Sequence, residues 1–279
     1  MRRPKAVTLA DPHMANAKWA DDSRGKHGWL SEFFRWVIEK EVMLLLLGDI
    51  WELIGVGLKN EASLFESRPN IYTLGWLERA LEYGRAENQE GGKGVLGNHD
   101  WWLSWKYMQR FRMQRSPFII RFGDEVIWCE HGHAQEWETT DPSWTVRGAR
   151  FAYWFETKFW LGADEAALKV WHWWQNWRRE RRNKSENRFI EDHIPYWWLA
   201  VERKLDNPEI TTFLHGHSHD GGVEILQTSA GPVRHVDADS WTMNPRGESR
   251  MSVAVYDPER DHDEPWRVLQ VQELFAEYQ

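Results

Sequence analysis

Cysteine is nearly absent: Cys129 is the only one in 279 residues. That excludes a disulfide framework and fits a reducing compartment. Long apolar runs are missing too. The longest, Val42 to Leu47, is far short of the about 20 residues a membrane-spanning helix needs. Basic excess is absent, since 35 Lys and Arg face 43 Asp and Glu for a net charge of -8. No global positive field recruits nucleic acid, so no specific nucleic-acid partner is expected. The basic start Arg2-Arg3-Pro4-Lys5 is not followed by an apolar stretch of signal-peptide length, so a cytoplasmic location is expected. Repeats and low-complexity linkers are also lacking, which argues against a second independent domain. What the chain does have is a 42% hydrophobic share, enough for a proper core, and 21 tryptophans. Tryptophan suits cores, lids and wet interfaces alike, so its excess alone does not choose among them.

Apolar, β-branched runs at Ala6 to Ala10 and Glu41 to Leu47 stop at Asp11 and Gly48-Asp49. Such runs read as strands buried on both faces, in a sheet covered by helices. Between them, apolar residues at 29, 30, 33, 34, 37 and 38 have helical spacing. Ile71 to Tyr83 reads as a helix and Gly94 to Leu96 as a short strand. Phe118 to Phe122 and Glu125 to Cys129 read as a hairpin around Gly123-Asp124. Phe213-Leu214, Gly222 to Leu226 and Met251 to Tyr256 read as further strands. Residues 140–205 are rich in Trp, Arg and Glu, with Phe151, Phe155 and Phe159 four apart. They read as a helical insertion within one α/β domain spanning 1–279.

Five strand ends carry the chemistry: Asp11-Pro12-His13, Gly48-Asp49-Ile50-Trp51-Glu52, Gly97-Asn98-His99-Asp100, His131-Gly132-His133 and His215-Gly216-His217-Ser218-His219. Seven of the twelve histidines fall in them. In open α/β sheets the crevice at the carboxyl ends of strands holds ligands, so these residues are expected to converge. Imidazoles, carboxylates and an amide oxygen suit Mn, Fe, Zn or similar divalent ions. Seven such donors can build two sites that share a carboxylate, the arrangement for in-line displacement at phosphorus. Each motif alone has a bland reading: Gly-Asn-His-Asp makes a good turn, and a lone Asp-x-His means little. The bland reading must place all five at strand ends, in this order, by accident.

In this order the segments resemble the signature of the calcineurin-like metallophosphoesterase superfamily, over roughly residues 6–135 and 211–256. The resemblance implies a two-sheet β-sandwich flanked by helices, an α/β fold, with residues 140–205 as a helical cap. It implies that Asp11, His13, Asp49 and His219 hold one metal and that Asp49, Asn98, His131 and His217 hold the other, with Asp49 bridging. Manganese is the first choice, with iron, zinc, nickel or magnesium as alternatives. His99 then meets the scissile phosphate and helps the leaving oxygen depart, oriented by Asp100 or Glu52. The implied activity is hydrolysis of a phosphoester or pyrophosphate by a metal-bound hydroxide.

Gly48 to Gly57, the insertion, and Asp239-Ser240-Trp241 further resemble the UDP-2,3-diacylglucosamine pyrophosphatase branch. The chain departs from that branch at His99, where Arg is usual, at His133, where Asp is usual, and at Met14, where Leu is usual. The likeness therefore lies in the scaffold more than in the specificity. Substrates implied are phosphorylated small molecules or lipid-linked compounds. Residues 171–184 join four tryptophans and a histidine to an Arg-rich stretch ending at Lys184. They read as a solvated helix with a Trp-lined core face, or as a peripheral contact to the inner membrane face. A binding scaffold without turnover and a nuclease are the other classes; the first usually lacks ligands and the second wants a basic groove. Cys129 reads as a buried small residue. His172, His193, His235 and His262 read as structural or surface residues.

Overall fold

The computed structural model describes residues 3–15, 26–53, 61–83, 91–132, 196–217, 221–239, 241, 251–261 and 263–279. The expected insertion lies outside them up to residue 195, as do His133, His172, His193, His219 and His262.

In chain order the elements are β1 (Ala6–Leu9), α1 (His27–Glu39), β2 (Met43–Leu46), α2 (Glu61–Phe65), α3 (Arg68–Tyr83), β3 (Lys93–Val95), α4 (Trp105–Arg110) and β4 (Met113–Gln114). Then follow β5 (Phe118–Phe122), β6 (Glu125–Cys129), α5 (Tyr196–Asp206), β7 (Thr212–His215), β8 (Gly222–Thr228), β9 (Gly231–Asp237), β10 (Ser252–Tyr256), β11 (Trp266–Gln270) and α6 (Val271–Glu277). One sheet has the order β11-β10-β1-β2-β3-β4, and the other β5-β6-β7-β9-β8. Strands β1 to β4 are parallel to one another, while β10 runs antiparallel to both of its neighbours, β1 and β11. In the second sheet β6, β7 and β9 are parallel, with β5 and β8 antiparallel at the edges. The fold is α/β: two mixed sheets flanked by helices, as the resemblance implied.

Strand side chains alternate between faces, and the doubly apolar runs use both. Val7, Leu9, Leu44 and Leu46 join Leu30, Phe33, Phe34, Val37, Leu74 and Leu77 in a core shared with α1 and α3. Their neighbours Ala6, Met43, Leu45 and Leu47 turn the other way. They meet Phe118, Ile120, Ile127, Cys129 and Leu214 between the sheets. On the outer face of the second sheet, Leu199 and Ala200 of α5 pack with Ile210, Phe213 and Val233. Residues 196–205, expected as the tail of the insertion, are thus a helix laid on that sheet.

Helix α1 closes at Lys40, and Glu41 takes a left-handed φ of 53°. The Val42 amide reaches back to the Val37 carbonyl at 3.1 Å, a turn that satisfies the helix end. The second strand therefore starts at Met43 rather than at Glu41. Strands β9 and β11 and helix α6 were not expected from the sequence; α6 opens on a capping box between Gln270 and Glu273. No helix among the described residues is long and apolar enough to cross a membrane.

Candidate metal centre

The five motif segments follow β1, β2, β3, β6 and β7. Beyond the ends of β1 and β2 the pairing continues as a ladder. The Asp11 amide donates to the Gly48 carbonyl at 3.1 Å, His13 to Asp49 at 3.0 Å and Met14 to Ile50 at 2.9 Å. Along it Asp11, His13 and Asp49 adopt φ of 51°, 46° and 50°, and His217 adopts 72°. Left-handed backbone at such residues costs on the order of 1–3 kcal/mol each and persists where surroundings dictate it, most often at functional sites. Gly48, at φ 91°, has no room for a side chain: a Cβ would lie 2.5 Å from His131 Nδ1 and 2.7 Å from the Gly97 nitrogen. Gly97 is hemmed equally closely by the Asp49 carboxylate and backbone.

The geometry gathers several of the expected donors, with His99 added, into two overlapping groups, and Asp11 falls with His131 and His217 rather than with His13. Ligand atoms of Asp11, Asp49, His131 and His217 lie within 4.8 Å of one another, and so do those of His13, Asp49 and His99. Asp49 belongs to both. His131 Nδ1 donates to the Leu47 carbonyl at 2.6 Å, which turns the Nε2 lone pair inward. That lone pair faces Asn98 Oδ1 at 3.2 Å, His217 Nδ1 at 3.1 Å and Asp49 Oδ2 at 3.3 Å. Without a proton on the ring these converging electron pairs need a cation among them, and nitrogen plus oxygen donors suit a divalent transition ion. The residues fit the metal that the motifs imply. His13 Nε2 stands 3.9 Å from Asp11 Oδ1 and 3.8 Å from Asp49 Oδ2.

Glu52 is buried behind these groups. Its Oε2 accepts from His99 Nδ1 at 2.5 Å and from His13 Nδ1 at 3.2 Å. One carboxylate oxygen thereby directs the Nε2 of both rings away from itself. Asp100, the other residue expected to orient His99, does something else. Its oxygens accept the Gly97 amide at 2.6 Å and the Ile50 amide at 2.8 Å, tying the loop after β3 to the loop after β2. The His99 amide in turn donates to Asp49 Oδ1 at 2.8 Å.

Burial opposes charge on all these groups, and their mutual pairing overrides it. His131, His99 and His13 hold Asp49 well below the usual carboxylate range. His99 and His13 bring Glu52 to about 2. Glu52 and Asp49 raise His99 to about 10, and Asp49 with Asp11 raises His131 to about 9. Asp100 is the exception: burial and the Asp49 charge push it up to about 7.

Two side chains near the centre have no role implied by the motifs. Tyr196, at the start of α5, stacks on His215 with centroids 4.8 Å apart and meets the edge of His217 at 6.2 Å. His215, inside a motif but assigned no role, is fully buried, and burial with the neighbouring His235 lowers its pKa to about 3. Cys129 is buried as expected, and burial raises its thiol pKa.

The pattern of the calcineurin-like phosphoesterase family matches residues 5–221. Among solved structures, a dimetal phosphatase from Danio rerio is 14% identical with a TM-score of 0.45, covering 90% of this chain and 93% of that one. A predicted phosphoesterase from Streptococcus pneumoniae TIGR4 is 13% identical with a TM-score of 0.37, covering 91% and 83%. A Vps29 double mutant from Entamoeba histolytica is 12% identical with a TM-score of 0.36, covering 90% and 83%. No curated protein matches. With the family pattern over most of its length and the pattern's strand-end residues gathered around Asp49, the chain belongs to the calcineurin-like phosphoesterase family.

Proposed function

We propose that the protein hydrolyses a phosphoester or pyrophosphate bond at a two-metal centre formed by Asp11, His13, Asp49, Asn98, His131, His217 and His219. The observation that carries this is the membership of Asp49 in both donor groups, as a bridging carboxylate requires. When bound, two divalent ions, manganese first among the candidates, supply the positive charge that takes a phosphate and acidifies water. The protein's own part is placement and proton handling. Asp49 offsets the repulsion between two cations, and Asn98 adds a neutral oxygen. Glu52 takes the Nδ1 hydrogen of His99 at 2.5 Å, which leaves Nε2 for the substrate. The Glu52 carboxylate at Nδ1 favours the protonated ring, the form that can give a leaving oxygen its proton. His99 is the general acid in this reading, Glu52 orients it, and Asp100 fixes the loop that carries it.

Substrate choice is assigned to residues 140–205 as a cap, and a phosphorylated small molecule or lipid-linked pyrophosphate is the expected class. The sequence likeness of Gly48 to Gly57 and of residues 239–241 to the UDP-2,3-diacylglucosamine pyrophosphatase branch supports the lipid-linked form. Residues 171–184 would then make the peripheral membrane contact, on the cytoplasmic side. The test is elemental analysis with a hydrolysis panel of monoesters, diesters and nucleotide-sugar pyrophosphates in defined metals. Up to two transition ions per chain and loss of hydrolysis on chelation are expected. Hydrolysis that persists in metal-free protein overturns the assignment.

A further inference from the structure

Behind the ligand loop of the second sheet runs a row of hydrogen-bonded side chains that the proposed chemistry does not use. It starts at Glu224 on the edge strand β8, whose side chain is 55% exposed. Glu224 Oε1 lies 2.8 Å from Nδ1 of His235 on β9. His235 Nε2 lies 2.7 Å from Nε2 of His215, at the end of β7. His215 Nδ1 lies 2.6 Å from the carbonyl of Gly216. The rings of His215 and His235 lie nearly parallel, at 11°, and Tyr196 covers His215.

The donors in this row can be assigned from its ends. A carbonyl only accepts, so His215 Nδ1 spends its hydrogen on Gly216, and Nε2 of the neutral ring becomes the acceptor. His235 therefore donates through Nε2. A solvated carboxylate also only accepts, so His235 donates through Nδ1 as well, and the row is complete when that ring carries both protons. Burial outweighs the pull of the Glu224 carboxylate and leaves the His235 pKa below its ordinary value, so the doubly protonated ring depends on Glu224 and is favoured toward lower pH.

The row terminates on the residue before a ligand. The His217 amide donates to Asp11 Oδ2 at 3.0 Å, its φ is 72°, and its ring reaches His131 at 3.1 Å. A left-handed histidine does not hold that conformation unaided. Gly216 sits so close to the first sheet that a Cβ would lie 2.8 Å from Asp11 Oδ2, so a small shift of its peptide moves the ligand.

We propose that Glu224, His235 and His215 form a positioning relay that pins the Gly216 carbonyl and so presents His217 to the metal, setting the affinity of that site from the solvent-facing edge of the sheet. This rests on the metal-centre reading above. Calorimetric titration of metal-free protein with Mn²⁺ tests it, paired with ¹⁵N spectra of the imidazoles. His235→Leu fills the space without the bonds. It should weaken one binding step about tenfold, the lower end of the usual cost of removing a ligand's supporting partner. His235→Gln, which keeps an N–H donor, should recover most of the loss, and Glu224→Gln should fall between. The wild-type spectrum should show two N–H groups on His235 and one on His215. A folded His235→Leu protein with the wild-type isotherm overturns the relay. Should wild type take up no Mn²⁺, the metal reading fails by itself. The spectrum then still decides the hydrogen-bonded row, since a singly protonated His235 overturns it.

Discussion

The two sheets contribute to the centre in different ways. The first supplies the carboxylates and the amide, Asp11, Asp49 and Asn98, along with His13 and His99. Its loops are locked to one another by main-chain and carboxylate bonds: the ladder from Asp11 to Ile50, and Asp100 onto Gly97 and Ile50. The second sheet supplies His131 and His217, and it fixes its loops with imidazoles: His131 onto the Leu47 carbonyl and His215 onto that of Gly216. The carboxylates come from a half interlocked through its main chain, and the second half brings imidazoles held in place by side-chain bonds. Loss of the shared carboxylate in the first half should therefore disable the centre as a whole, while loss of a ligand from the second should weaken a single site.

The largest effect expected is at Asp49, the one residue in both donor groups. Asp49→Asn should lose both ions, whereas His217→Ala should lose one and keep part of its turnover. Elemental analysis of the two proteins decides it. Equal metal content in both would erase the contrast between the sheets.

Next in size is His99, which sits in the first half but is assigned to proton delivery. His99→Asn should cost about 10²–10⁴-fold on alkyl phosphates, whose leaving oxygen needs a proton. It should cost little on nitrophenyl phosphates, with metal content unchanged. Rates on both substrate classes at matched metal occupancy check this. Equal losses would place His99 among the ligands, where its proximity to His13 and Asp49 would also allow it to serve.

A smaller, structural effect belongs to Gly97. Its Cβ would meet the Asp49 side chain at 2.6 Å at Cγ and the backbone nitrogen at 2.6 Å, and both belong to the locked half. Overpacking of this kind costs about 1–3 kcal/mol. Denaturant unfolding of Gly97→Ala should show that loss together with weaker metal binding. A variant that loses neither would mean the first-sheet loops can part.

The sequence made the first half more legible than the second, for physical reasons. Runs such as Ala6 to Ala10 and Val42 to Leu47 are apolar on both faces and end on Gly or Asp, so strand, boundary and site residue are announced together. Strand β9 (GPVRHVD) carries Pro232, Arg234 and His235 with only part of its residues buried, so periodicity hides it. Strand β11 runs into α6 with no glycine or proline between them, and the capping box at Gln270 and Glu273 was the signal available. Donor identity is legible because the motifs are local. The supporting contacts are not, because Glu224, His235 and Tyr196 reach His215 only through the sheet pairing and the placement of α5. His235 has no ligand-like neighbours in the sequence, and the fold puts it beside a motif histidine 20 residues away.

The smallest effect expected is at Asp100, and it separates proton delivery from loop fixation within the first half. Its carboxylate accepts the amides of Gly97 and Ile50, while His99 is bonded by Glu52. In Asp100→Asn the amide oxygen keeps one of those acceptances and the NH₂ group faces the other N–H. One buried donor is then unpaired, at a cost of about 1–3 kcal/mol. Part of it is offset, because burial and the Asp49 charge already disfavour ionised Asp100, raising its pKa to about 7, and the neutral amide ends that repulsion. The net stability loss should fall below that of Gly97→Ala. Since Asp100 does not hold the His99 ring, the ratio of alkyl to nitrophenyl rates should stay at the wild-type value. Unfolding midpoints and that ratio, measured on the same preparations, are the readout. A ratio that moves as it does in His99→Asn would mean that Asp100 and His99 act as one unit, and proton delivery would then reach beyond the Glu52 contact.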